Sequence, residues 1–128
     1  MSMKPSLQDV LKKYQNHPEF LGTELVYANQ RGAMDDTVLH IAARKNEVLD
    51  LEVLVANGAD INMVGDLGNT PLHNAALTGK EQAIRRLLDL GADPSLRNEF
   101  DQTPLDIAKV GNHMRAAAIL EEVEKGRK

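Results

Sequence analysis

The chain predicts an all-α solenoid in which short helical hairpins stack side by side. Three observations carry this. Thr37-Val38-Leu39-His40 returns as Thr70-Pro71-Leu72-His73 and, altered, as Thr103-Pro104-Leu105-Asp106, each time 33 residues on. Gly58-Ala59-Asp60 returns as Gly91-Ala92-Asp93 at the same interval. Between these marks the apolar residues fall at helical rather than alternating spacing. A fixed period in this range signals stacked units, none of which can bury its apolar face alone. Such a stack builds a surface rather than a pocket.

The first element is a helix that begins after Ser6. Asp9 stands three residues later, and Leu7, Val10, Leu11 and Tyr14 follow at i, i+3, i+4, i+7. His17-Pro18 ends it, because proline disfavours helical backbone in the residue before it. Glu19 to Glu24 fits a short second helix or a turn. Leu25-Val26-Tyr27 has β character and leads into Asn29-Gln30-Arg31-Gly32, the first loop. Residues 1–30 lack the recurring marks and read as a diverged N-terminal cap, with a separate targeting or partner-binding helix and a disordered tail as the alternatives.

The repeats follow. In the clearest of them, Thr70 offers its hydroxyl to an orphan N–H of a first turn, and Pro71 takes the first helical position, where a missing N–H costs nothing. Leu72, Ala75 and Ala76 continue at helical spacing. Gly79 lies nine residues after Thr70, where a left-handed residue closes a short helix. Asn46 and Asn112 hold the same slot after Thr37 and Thr103, and Asn is among the few other residues that visit this backbone state routinely. A second helix runs from Glu81 to about Leu90 with Ile84, Leu87 and Leu88 as its stripe, stopped by Gly91. Its counterpart carries Leu51, Leu54 and Val55 and is stopped by Gly58. Asn57-Gly58 could mark a tight hairpin, but it follows a helical pattern, which excludes that reading. Polar connectors punctuated by Gly68 and Pro94 join each pair to the next.

Composition limits the function classes. At 128 residues the chain fits one domain. With no Cys, neither a disulfide framework nor a thiolate metal site can form. Two Phe, two Tyr and no Trp leave the core to Leu, Ile, Val and Ala. The start, Met1-Ser2-Met3-Lys4-Pro5, carries no secretion signal, and no apolar run approaches a membrane span, so a cytoplasmic location is expected. A formal charge of -4 argues against nucleic acid, which calls for a concentrated basic face. Residues 37–69 hold two basic side chains against five acidic ones. The tail, Lys125-Gly126-Arg127-Lys128, leans basic, as a solvated end does.

Gly68-Asn69-Thr70-Pro71-Leu72-His73-Asn74-Ala75-Ala76, followed by Gly91-Ala92-Asp93, resembles an ankyrin repeat. The resemblance covers roughly residues 31–125, with signature positions in register in three consecutive units. It implies two antiparallel helices per unit with a β-hairpin-like loop at right angles. The expected organisation is one domain: cap 1–30, repeats 31–63 and 64–96, and a C-terminal capping repeat 97–128. Four departures stand out. Val38 replaces the usual Pro, so that helix start should be less fixed. Gly32 and Gly65 stand where the family often has Asp, so those loops should lack an internal hydrogen bond. Asp106 replaces the signature His, as in last repeats. Glu121 fills the slot of Val55 and Leu88, which suits an end unit with a polar outer face.

No phosphate loop, zinc-protease helix motif or nucleophile elbow is present. Asp35-Asp36 lacks the spacing of a calcium loop. His40 and His73 lie one unit apart, about 10 Å in a packed stack, too far to share one zinc ion, whose bonds to nitrogen are about 2 Å. The resemblance makes them structural, tying helix ends to loops. No catalytic residue, metal or cofactor is expected. The resemblance instead implies a non-catalytic module that binds a partner protein through its loop tips and concave helix face. Carried over residue by residue, this marks Met34, Leu67 and Phe100 three positions before each Thr, Asp36, Asn69 and Gln102 one before, Asp66 and Glu99 four before, and Arg44, Lys45, Leu77 and Thr78 on the first helices. The Met34–Leu67–Phe100 ladder reads either as an exposed apolar ridge or as packing of each loop on its neighbour. A monomer is expected, with no nucleic acid and no membrane partner. The narrower alternative is a stoichiometric inhibitor, such as a bacterial immunity protein that blocks a toxin or enzyme.

Overall fold

A computed structural model describes residues 4–126. The basic end Arg127-Lys128 and the start Met1–Met3 lie outside the described residues. Among these, the chain forms seven α-helices, two 3-10 turns and no strand. The helices are α1 (Leu7–Tyr14), α2 (Val38–Arg44), α3 (Val48–Ala56), α4 (Pro71–Leu77), α5 (Glu81–Asp89), α6 (Pro104–Val110) and α7 (Met114–Gly126). They pack as two rows: α2, α4 and α6 lie side by side in one, and α1, α3, α5 and α7 in the other. The core runs between the rows, built from Leu39, Ile41, Leu51, Leu54, Leu72, Ile84, Leu87 and Leu120, all essentially inaccessible to solvent.

Local physics sets each short helix. Thr70 and Thr103 sit at the N-caps of α4 and α6, and their hydroxyls accept from His73 N and Asp106 N at 3.4 and 3.2 Å. Ser6 does the same for Asp9 N at 3.1 Å, while the Asp9 carboxylate accepts from Ser6 N at 3.0 Å. This reciprocal box satisfies two orphan donors of α1 and holds the Asp9 carboxyl below its ordinary value. Asn46, Gly79 and Asn112 all have positive φ, near 60°, as the closing slot demands. Without proline, α2 still begins in register at Val38. The Thr37 N–H donates to His40 Nδ1 at 3.1 Å, but the Thr37 hydroxyl makes no N-cap bond of the kind that Thr70 and Thr103 make.

The expected β character at Leu25-Val26-Tyr27 is not realised, because these residues meet no second strand. Leu25 is instead buried, and Val26 and Tyr27 are exposed. The segment from Gln15 to Gln30 wraps the open side of the stack. Pro18–Phe20 makes a 3-10 turn that buries Phe20 completely. Gln15 pins the wrap by donating to Thr23 O at 2.7 Å and accepting from Leu25 N at 2.8 Å. On the other row, the buried Asp50 carboxylate accepts from Tyr14 Oη at 2.8 Å and Lys13 Nζ at 2.9 Å, which clips α1 to α3. Burial, then the bond to Asp50, pushes the Tyr14 phenol well above its ordinary value, so it stays a donor.

At the opposite end Glu121 faces Lys109 Nζ at 3.3 Å. Val55 and Leu88, in the same slot, pack against the core instead. A charged pair replaces apolar burial where no further unit follows among the described residues.

Candidate functional site

Three equivalent loops stand beside the row of α2, α4 and α6. The same backbone bond spans each: Gly32 N to Asp36 O at 2.8 Å, Gly65 N to Asn69 O at 2.8 Å, and Asn98 N to Gln102 O at 3.0 Å. In the third loop the Asn98 carboxamide oxygen also accepts from Phe100 N and Gln102 N, at 2.9 and 3.0 Å. Gly32 and Gly65 have no side chain to do this, as expected. The missing acceptor comes from the preceding unit. Glu19 Oε2 accepts from Met34 N and Asp36 N at 2.7 and 3.1 Å, and Asp36 Oδ1 accepts from Asp66 N at 3.0 Å. A Cβ at Gly32 would run into the Glu19 side chain, and one at Gly65 into Asp36 Oδ1 and the His40 ring. Glycine at these two sites is therefore the condition for a neighbouring carboxylate to reach in.

His40 and His73 complete the linkage. Their Nε2 atoms meet Asn69 O and Gln102 O at 3.0 and 2.9 Å, and their Nδ1 atoms face Thr37 N and Thr70 N, both at 3.1 Å. A carbonyl can only accept, so Nε2 carries the proton and each imidazole is neutral. Burial, the largest influence, holds both rings below the ordinary histidine value. Asp106 stands in this slot in the last unit and accepts from Thr103 N at 3.0 Å. It lacks the second nitrogen, and no further loop follows it among the described residues. Among the described residues no group of three or more His, Asp or Glu is placed to hold a metal.

The twelve residues marked by the sequence separate into two groups. Asp36 and Asn69 are largely buried and serve the loops, which leaves Asp36 off the accessible surface and Asn69 with only an edge on the groove described below. Asp36 binds the next loop and Arg44 Nη1 at 2.9 Å, and Asn69 Oδ1 accepts from Asn98 Nδ2 at 3.0 Å. These positions look polar and accessible in one unit's sequence, but the adjacent unit covers them. Arg44 is half-buried against Asp36, and the Thr78 hydroxyl donates to Asn74 O at 3.1 Å. Gln102 is half-buried, and its Oε1 accepts from Asn98 Nδ2 at 3.1 Å. The apolar residues behave differently. Met34, Leu67, Leu77 and Phe100 are 60%, 47%, 52% and 63% exposed. Lys45 and Glu99 are exposed and Asp66 half-buried, and none of the three side chains forms an ion pair among the described residues.

Leu67, Asn69, Leu77, Phe100 and Gln102 meet at one groove of about 250 Å³, between the second and third loops and the ends of α4 and α6. Asn98, Ile107, Val110 and Gly111 complete it. Asn98 and Ile107 escaped the sequence reading. Asn98 sits in the slot held by Gly32 and Gly65, and Ile107 in the first-helix slot of Ile41 and Asn74, so only the stacking shows that both reach the same hollow. Met34, Arg44, Lys45, Asp66, Thr78 and Glu99 lie outside the groove. Within the polar rim Asn98 uses both ends of its carboxamide inside the loop cluster. The large exposed side chains around the groove are apolar. Leu67 adds a further cost, with φ of 60°, a left-handed backbone that penalises residues bearing a Cβ by roughly 1–2 kcal/mol. A larger hollow of about 480 Å³ beside α1 is the seam between that helix and the wrap, lined by Gln8, Lys12, Gln15 and Glu24 among others.

No helix among the described residues is long and apolar enough to cross a membrane. No curated relative matches the chain. The family model described as ankyrin repeats (3 copies) matches residues 12–98 and, overlapping them, 39–126. Repeats of this family are general protein–protein interaction modules, and its members are generally non-catalytic. The matched span reaches past the three recurring marks into α1 and the wrap. With two rows of helices, a 33-residue period and histidine-tied loops, the chain belongs to the ankyrin-repeat family.

Proposed function

We propose that this chain is a monomeric, non-catalytic module that acts by covering part of another protein's surface. The reading takes residues 1–128 as one domain, a cap followed by three repeats. The partner docks against the loop tips and the concave face of α2, α4 and α6. One observation carries the proposal: Leu67, Leu77, Phe100 and Val110 are large, apolar and exposed around one groove. Contiguous exposed apolar area marks interaction sites. At about 250 Å³ the groove is smaller than the roughly 300–1,000 Å³ of pockets that enclose a small ligand, and suits side chains presented by a larger partner.

The test is capture of the partner from the native host, with cross-links mapped by mass spectrometry, beside a Phe100→Glu variant. The expected result is a one-to-one complex whose cross-links fall on the loop tips and first helices, lost in the variant without change in melting temperature. Cross-links confined to the row of α3, α5 and α7 would overturn the reading, as would a complex indifferent to the substitution. A stoichiometric inhibitor, including a bacterial immunity protein, is the narrower form of this reading. It requires that the captured partner lose its activity at one equivalent of the chain.

A further inference from the structure

Resting on the partner-binding reading above, we propose that the groove takes a basic–apolar segment of the partner. One apolar side chain enters between Leu67, Leu77, Phe100 and Val110 over Ile107, and a lysine or arginine beside it pairs with Asp66 and Glu99.

The apolar half of this recognition follows from what the groove leaves open. Leu67 holds a strained left-handed backbone at the loop tip while its side chain stays half in water. Val110 is 79% exposed at the end of α6. Both side chains are thus left in water beside the groove. The rim amides of Asn69, Asn98 and Gln102 bond to one another or to their own loop. The groove wall is chiefly large apolar side chains, so shape and charge dominate the choice of occupant.

Charge decides which apolar segment fits. Asp66 precedes Leu67 and Glu99 precedes Phe100, and the two loops are joined by Glu99 N donating to Leu67 O at 3.1 Å. Neither carboxylate has a hydrogen bond or ion pair among the described residues. Three cations of the third unit face other carboxylates: Arg97 faces Asp101 and Asp106, both at 3.8 Å, Lys109 faces Glu121 at 3.3 Å, and Arg115 faces Glu81 at 3.9 Å. The uncompensated charge beside the groove is negative, carried by one carboxylate in each of two adjacent loops. A cation next to the apolar anchor is favoured there, and an acidic neighbour is repelled.

The test selects a displayed library of random twelve-residue peptides on the full chain, then measures the winners by fluorescence polarisation at low and high salt. Selection is repeated on two paired variants, Phe100→Ala with Val110→Ser and Asp66→Lys with Glu99→Lys. All four sites are exposed or half-buried, and circular dichroism checks that the fold is kept. Enriched peptides should carry Lys or Arg within a few positions of Leu, Met or Phe. Their affinity should drop at least tenfold on the apolar pair and several-fold on the charge-reversed pair or at high salt, and the charge-reversed chain should enrich acidic peptides. Peptides sensitive to the apolar pair but without charge preference would overturn the basic segment and leave the binding surface standing. Peptides indifferent to both pairs, or no enrichment, would overturn the segment and count against the surface. Self-association of the chain that the apolar pair abolishes would put a second copy in the groove instead.

Discussion

Replacing Asn74 by leucine should stabilise the protein. Asn74 lies on α4 and is buried, and its Nδ2 has no hydrogen-bond partner among the described residues. The equivalent positions one unit away on either side are Ile41 and Ile107, both buried. A buried donor without a partner costs about 1–3 kcal/mol. Leucine places two methyl groups where asparagine has its oxygen and nitrogen, so the change removes that cost with little change in shape, and helix propensity adds a few tenths of a kcal/mol. The expected gain is about 1–3 kcal/mol. Unfolding entropy near 2.1 cal/mol/K per residue makes each kcal/mol worth about 4 °C for a chain of this length, so the melting temperature should rise by about 4–12 °C. Urea unfolding checks the same quantity, with a higher midpoint at unchanged slope. Asn74→Asp supplies the opposite sign, because a buried carboxylate there would have no cation beside it on α4. A leucine variant that melts at or below the parent temperature would refute the argument that this amide is an unpaid cost.

Other expectations follow from the same contacts. Gly65→Ala should destabilise more than Gly58→Ala in parallel urea titrations. At Gly65 a Cβ meets Asp36 and His40, each fixed by hydrogen bonds, whereas at Gly58 it meets nothing and only the positive φ is strained, by about 1–2 kcal/mol. Equal losses would mean that Asp36 can move. Stability should fall as pH drops below 6.5. The unfolded chain then protonates histidines that His40 and His73 keep neutral through burial, so it binds more protons than the folded chain. Each contributes at most about 1.4 kcal/mol per pH unit until its folded value is reached. A urea midpoint unchanged between pH 7.5 and 5.5 would contradict this. Tyr14→Phe should cost about 1.5–3 kcal/mol, the worth of a hydrogen bond to a charged group, with amide exchange accelerating first in α1. Uniform acceleration throughout the chain would show that the cap does not open separately.

The starts and stops of the repeat helices were legible because they are local. A threonine hydroxyl capping a first turn, a proline at the first helical position and an asparagine or glycine at a left-handed closing residue depend on a few neighbours along the chain. The 33-residue interval then dictated stacking, since each hairpin leaves an apolar flank that only another can cover. The fate of Glu19 was not legible. It precedes the recurring marks by many residues, yet it serves the first loop as Asp36 serves the second. Residues 15–30 have no periodic pattern from which such a role could be read, and Leu25-Val26-Tyr27 misled because β propensity has no effect without a partner strand.

The amino-acid order by itself thus determined the repeat family, the helix limits and the ladder of candidate positions, because capping, backbone handedness and apolar period act over one unit. Only the tertiary structure decided which rungs are open. Asp36 is covered by the adjacent loop, and Asn69 keeps only an edge on the groove, while Leu67 and Phe100 remain in water. Accessibility at any rung is set by what the next unit lays across it, a contact made between residues about 30 positions apart.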